Sequence, residues 1–306
     1  MVATPPILVT GAAGGRQGST GRYVTRMLLD RGLPVRAFVH ADDDRAAALR
    51  ERGAEVVAGD LRDVAAVWPA MEGVRRAFFT FPVTDGLLDA TGAFAAAAAA
   101  HNLEQAVSVS QLAPPAPDAG TPRMRQHWVA EQVLDRAGIG AVHLRATVFF
   151  ENFRALIALA ANAGDGKFSI PLGTAGETAV PLIAAEDVAR VAAAFLAAPA
   201  PREPGPVRLV GQVATVSEIV TAFSRAAGRD LEYADVPSAA WKRAAIASGI
   251  NPHAAEHLAS LWDIFRTRGA AARQLPAAQL ARMIQQITGQ PPQTLETFLQ
   301  LSITKQ

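Results

Sequence analysis

A short apolar run, Ile7-Leu8-Val9-Thr10, breaks into glycines at Gly11, Gly14, Gly15, Gly18 and Gly21, and an apolar-periodic segment starting at Tyr23 follows at once. Strand, glycine turn and helix in that order make the arrangement that receives the pyrophosphate of a dinucleotide. Glycines let the backbone approach the phosphates, and the helix start presents unpaired N–H groups and the positive end of its dipole. A glycine pattern alone carries little weight; its position between a strand and a helix is what makes it specific.

The first half of the chain alternates short β-rich runs with helical stretches. The pattern predicts strands at Ile7–Thr10, Val35–Val39, Glu55–Ala58, Arg76–Phe81, Gln105–Ser110 and Ala141–Thr147. Between them it predicts helices at Gly21–Arg31, Asp44–Arg52, Asp63–Met71, Gly86–His101 and Pro122–Ala137. Such alternation implies right-handed crossovers and an α/β fold with a doubly wound parallel sheet, whose ligand crevice lies at the carboxyl ends of the strands. After Phe149 the rhythm changes. Asn152–Ala163 reads as helix, Phe168–Pro171, Ala179–Ile183 and Val207–Val210 as short strands, and an apolar helix opens at Ala185-Glu186-Asp187 and runs to Ala198. From Val216 onward the chain reads as mostly helical. The expected organisation is a dinucleotide-binding domain over residues 1–150, joined by 184–204, and a smaller, mostly helical C-terminal substrate-binding lobe over 151–183 and 205–306.

The formal net charge of +1 lacks the basic excess of a nucleic-acid binder, and the absence of cysteine excludes disulfides and thiolate zinc sites. The N-terminus shows no signal-peptide pattern, and the apolar stretches Ala93–Ala100 and Val191–Ala198 are too short to span a bilayer. A cytoplasmic protein is expected. The pattern His253-Ala254-Ala255-Glu256-His257 resembles a zinc-peptidase motif. No third ligand is evident, so a polar helix face is expected and no metal site.

The ends of the predicted strands collect the remaining candidates. Asp60 and Leu61 follow the third strand. A carboxylate there suits an adenine amino group and the leucine suits the ring, while an aspartate capping the next helix is an equal alternative. The second strand ends at His40, where dehydrogenases that prefer NAD carry Asp or Glu. With Arg16 in the glycine loop and Arg45 nearby, His40 suits a 2′-phosphate, although Asp42, Asp43 and Asp44 follow directly. The balance favours NADP(H) over NAD(H).

Taken together, these segments resemble the NmrA-like branch of the atypical short-chain dehydrogenases/reductases. The resemblance rests on Val9–Gly14, Gly53–Asp60, Val107–Ser110, His127–Glu131, Leu144–Asn152 and Val180–Ala189, and spans nearly the whole chain. It implies a Rossmann dinucleotide-binding fold with a small C-terminal substrate lobe. The family contains both NADPH-dependent quinone and dye reductases and redox-sensing regulators. The glycine loop departs from the usual Gly-x-x-Gly-x-x-Gly by its length: either Gly18 or Gly21 fills the third place, and Arg16 and Gln17 lie in the added turn.

A typical short-chain dehydrogenase uses Tyr-x-x-x-Lys, with tyrosine as general acid. Neither Tyr23 nor Tyr233 has lysine four residues on. Counting back from Gly138-Ile139, His127 occupies the lysine position and Arg123 the tyrosine position. His127 is therefore the candidate for holding the ribose or donating a proton, against a plain structural role. Glu131, one turn later, is expected to orient it. Ser110 is the second catalytic candidate, with a loop cap as its alternative. Thr80, Phe81 and Pro82 are expected to wall the nicotinamide ribose, with Thr147 and Phe150 on the opposite side. The expected function is an NAD(P)H-dependent oxidoreductase acting on a small apolar acceptor such as a quinone. The alternative is a non-catalytic dinucleotide sensor acting through a protein partner. A homodimer or a regulatory partner fits either reading.

Overall fold

The computed structural model describes residues 4–15, 18–112, 120–153, 166–173 and 178–303. The alternation of the first half becomes β1 (Ile7–Thr10), α1 (Thr20–Leu29), β2 (Val35–Val39), α2 (Asp44–Glu51), β3 (Glu55–Ala58) and α3 (Val64–Ala70), followed by β4 (Arg76–Phe79), α4 (Leu87–Ala100), β5 (Gln105–Gln111), α5 (Pro122–Arg136) and β6 (Ala141–Ala146). The chain then forms β7 (Val148–Phe149), β8 (Lys167–Ser169), β9 (Ala179–Ile183), α6 (Ala185–Ala197), β10 (Gly205–Leu209), β11 (Gln212–Thr215), α7 (Val216–Ala227) and β12 (Glu232–Ala234). Four helices close it: α8 (Ser238–Ala247), α9 (Pro252–Ala272), α10 (Ala277–Thr288) and α11 (Leu295–Ile303).

The main sheet has seven strands in the order β10-β6-β5-β4-β1-β2-β3. β1 pairs in parallel with both β2 and β4, β2 with β3, and β4 with β5. The order therefore reverses between β1 and β4, which is the topological switch point where doubly wound sheets open a ligand crevice. β1 is buried along its whole length, as a strand covered on both faces requires. The alanine run of α4 buries Ala90, Ala97 and Ala98, which lets the helix lie close enough for Phe94 to meet Phe79 at 4.7 Å between ring centroids.

The chain divides into two compact units. The first comprises Met1–Ala119, Arg123–Arg145 and Val188–Arg208; the second comprises Gly120–Pro122, Ala146–Asp187 and Leu209–Gln306. The second unit carries a three-stranded sheet, β11-β9-β7, and the pair β12-β8. Its core includes the fully buried Trp262, stacked near Phe153 at 5.4 Å, and Phe150 near Phe298 at 5.3 Å.

Local differences from the sequence pattern have physical causes. β4 ends at Phe79, so Thr80 and Phe81 belong to the following loop, while β5 continues through Ser110 to Gln111. β12 falls in a region read as mostly helical; its register with β8 supplies non-local pairing that no local pattern announces. Of the helix read at Asn152–Ala163, only residues 152 and 153 are described, and both are helical.

Candidate functional site

The glycine turn resolves which glycine does what. Gly11 and Gly14 hold positive φ, 63° and 68°, and the Gly14 N–H donates to the Gly11 carbonyl at 3.0 Å. The Gly15 N–H donates to the Gly18 carbonyl at 2.8 Å, which pinches off the extra length of the loop. Gly21, inside the first turn of α1, is the close-packing glycine: a Cβ there would lie 2.5 Å from the carbonyl oxygens of both Thr10 and Gly11. Gly18 has no heavy atom within 4 Å of such a Cβ. Gly21 therefore fills the third place of the motif, and Gly18 belongs to the inserted turn. Arg16 and Gln17 lie outside the described residues.

α1 starts after Ser19 without a side-chain cap and without an acidic residue in its first turn. Its leading N–H groups and dipole thus face the glycine turn undiminished by a carboxylate. At the switch point the ends of β1 and β4 are tied together. Thr10 Oγ1 donates to the Thr80 carbonyl at 3.0 Å and accepts from the Thr80 N–H at 2.8 Å. Thr80 also lies against Gly11, its Cγ2 being 3.0 Å from a Cβ built there. Phe81 and Leu61 pack half-buried on the core of the first unit, and Pro82 is exposed.

The loop after β4 is held by Arg123 of α5. The guanidinium is 1% exposed and donates to the carbonyls of Pro82 at 2.7 Å, Thr84 at 3.0 Å and Phe81 at 3.4 Å. Burial pulls its pKa down to about 10, with the Asp85 charge opposing the fall, so it remains a cation near neutral pH. At the position where the dehydrogenase tyrosine would stand, the chain thus has a buried cation clamping backbone.

His127, one turn along α5, is 8% exposed. Glu131, a further turn along, accepts from Ser110 Oγ at 2.6 Å and from Arg145 at 2.5 and 3.0 Å. Both carboxylate oxygens are engaged in this way, which makes Glu131 a brace joining α5, β5 and β6. Ser110 is 3% exposed within β5, and the loop-cap alternative does not hold for it. A second brace runs from Ser108 Oγ to His143 Nδ1 at 2.8 Å, and from His143 Nε2 to Asp135 at 2.9 Å. Ser108 and His143 are 2% and 1% exposed, so the strut runs from the interior to the half-exposed Asp135 and its serine is shut off from any substrate.

At the end of β2, His40 is exposed. Asp43 caps α2, Asp42 pairs with Arg50 at 2.7 Å, and Arg45 pairs with Asp43 at 2.6 Å. The capping alternative for Asp60 gives way to another arrangement: Asp63 caps α3, while Asp60 accepts from the Arg62 N–H and pairs with its guanidinium at 2.6 Å. The Arg62 hydrogen bonds hold the Asp60 carboxyl down at about 2. Sequence reading missed this, although the repeated Asp-x-Arg spacing at 43–45 and 60–62 was a visible signal.

In the second unit, the Thr147 N–H donates to the Leu209 carbonyl at 3.3 Å, and the ring of Phe150 is fully buried. The zinc-like motif is otherwise employed: Glu256 pairs with Lys242 at 2.7 Å and His257 Nδ1 meets Thr121 Oγ1 at 2.9 Å. Among the described residues no cluster of three His, Cys, Asp or Glu side chains is placed to hold a metal.

A doubly wound sheet, a glycine turn at its switch point and an uncapped helix start define a nucleotide-binding α/β protein class. Within that class the chain belongs to the NmrA-like family, whose model matches residues 4–299. It is 28% identical over 294 residues to an NAD(P)H azoreductase of Xenophilus azovorans, covering 95% of this chain and 96% of that protein. Its fold matches the Escherichia coli NADPH-dependent quinone oxidoreductase solved with NADPH, with a TM-score of 0.80 at 22% identity over 97% of this chain and 99% of that one. It also matches the negative transcriptional regulator NmrA, with a TM-score of 0.76 at 19% identity over 97% and 95% of the two chains. No described helix is long and apolar enough to cross a membrane.

Proposed function

We propose that the chain is an NAD(P)H-dependent reductase, with NADPH preferred, that passes a hydride to a small apolar acceptor such as a quinone or azo dye. The observation that carries this reading is the tie between Thr10 and Thr80 beside the glycine turn, which fixes the two strand ends where a dinucleotide crosses the switch point. The pyrophosphate would rest on Gly11, Gly14, Gly18 and Gly21 with Arg16 and Gln17 in the inserted turn; Asp60 and Leu61 would meet the adenine, and His40 the 2′ position. Thr80, Phe81 and Pro82 would flank the nicotinamide ribose. The reduced nicotinamide, when bound, supplies the hydride. The first domain holds the cofactor, and the lobe of residues 151–183 and 205–306 receives the acceptor.

The chain's own residues then have three tasks. Arg123 keeps the Phe81–Thr84 loop in place through its carbonyls. His127 contacts the ribose or delivers the proton that two-electron reduction requires alongside the hydride. Apolar side chains of the acceptor lobe would exclude water from the transfer. Support comes from the relatives named as an azoreductase and a quinone oxidoreductase. The absence of an acid at position 40 supports NADPH over NADH.

A second reading, a dinucleotide sensor without turnover, is favoured by the replacement of the tyrosine by Arg123, whose guanidinium is spent on backbone. Titration of the nicotinamide fluorescence tests binding, which both readings require. Acceptor-dependent oxidation of NADPH separates them, because the sensor reading predicts tight binding with none.

A further inference from the structure

Arg45 leaves the first turn of α2, and its guanidinium is shared. Nε and Nη2 donate to Asp43 Oδ2 at 3.0 and 2.6 Å, while Nη1 donates to the carbonyl oxygen of Gly14 at 3.0 Å. The other oxygen of Asp43, Oδ1, accepts from the N–H groups of Arg45 and Ala46 and so caps α2. One carboxylate thus serves two ends: it starts the helix and neutralises an arginine that reaches back to the glycine turn. The pair lies just beyond β2, on the side where a doubly wound fold distinguishes the ribose 2′ group. Arg45 is still 56% exposed, open to a ligand, and its neighbours Arg50 and Arg62 are likewise matched by Asp42 and Asp60.

We propose that Asp43 is a specificity-determining residue that limits the advantage of NADPH over NADH by holding Arg45, so that a 2′-phosphate competes with the Asp43 carboxylate for one guanidinium. The inference rests on the dinucleotide-binding reading and deepens it. The 2′-hydroxyl of NADH carries no charge and is indifferent to the competition. Asparagine at position 43 keeps the Oδ1 acceptor that caps the helix and removes only the charge. Removing one unit charge beside a ligand charge at a water-exposed site shifts affinity roughly fivefold.

The test is a fluorescence titration of NADPH and NADH against the full chain, Asp43→Asn, Asp42→Asn and the double variant Asp43→Asn/Arg45→Gln. Asp43→Asn should lower the Kd for NADPH roughly fivefold and leave that for NADH in place. Asp42→Asn, which frees Arg50, should leave the ratio of the two Kd values unchanged. The gain should vanish in the double variant, which identifies Arg45 as its carrier. An unchanged ratio in Asp43→Asn, an equal shift for both nucleotides, or a gain that survives in the double variant overturns the proposal. If the unmodified chain binds neither nucleotide, the failure lies with the dinucleotide reading itself and removes the inference with it.

Discussion

Gly21 and Thr10 approach so closely that a Cβ on Gly21 would lie 2.5 Å from the Thr10 carbonyl oxygen, with the Gly11 oxygen equally near. Both obstacles are backbone, so neither can rotate away. Gly21→Ala should push α1 off β1, cost about 3 kcal/mol of stability and weaken dinucleotide binding. Gly18→Ala, with open space around its Cβ, should leave thermal stability within about 0.5 kcal/mol. Thermal melts of the two variants beside the parent check the contrast; equal effects would contradict the assignment of Gly21 as the packing glycine.

Arg123→Met should separate stability from binding. Removing a buried guanidinium relieves its desolvation and forfeits its carbonyl bonds, so the two effects offset and the melting temperature should move little. The loop at Phe81–Thr84 loses its anchor, and NADPH affinity should fall about tenfold, equivalent to about 1.4 kcal/mol. A melt and a titration on the same sample suffice; a large loss of stability with affinity preserved would show that Arg123 serves the core alone.

Much of the first unit could be read in advance because its signals are local. The apolar runs and the glycine turn each announce themselves within a few residues, and β1, β2, β3 and α5 begin where the pattern puts them. Side-chain partnerships were not legible, since they join residues far apart in sequence. Thr10 meets Thr80 across 70 positions, and Glu131 takes both Ser110 and Arg145 from neighbouring strands. Spacing along α5 put Glu131 one turn from His127, but gave no hint of its donors Ser110 in β5 and Arg145 in β6. The second unit was the least legible because β12 depends on β8 for its hydrogen bonds.

Glu151 gives the protein a pH-dependent stability. Burial pushes its carboxyl up to about 7. Donation from the Glu151 and Ala185 backbone N–H groups opposes the rise, and the charges of Asp187 and Glu186 add to it. A carboxyl whose folded pKa is raised contributes stability that is complete below its unfolded value of 4.5 and is lost as pH climbs through the folded value. Stability should therefore decline by about 2 kcal/mol between roughly pH 5 and pH 8. Glu151→Gln should flatten that slope, as melts across the range would reveal; an unaltered slope would assign it to other groups.

His127→Ala distinguishes a proton donor from a cofactor-holding residue. If His127 supplies the proton, turnover should fall about 100-fold or more while the Kd for NADPH stays in place. If it holds the ribose, the Kd should rise and the maximal rate should fall less. Steady-state kinetics paired with titration reads the split, and no change in either would return His127 to a structural role.

In the proposed reading this chain passes the hydride of its dinucleotide to an acceptor. The direct measurement is oxidation of NADPH by the purified full chain against a panel of quinones and azo dyes, followed as loss of the reduced nicotinamide absorbance. Acceptor-dependent oxidation that saturates in both substrates is the predicted result. NADPH binding with no oxidation by any acceptor would contradict the reductase reading and leave the sensor reading in its place.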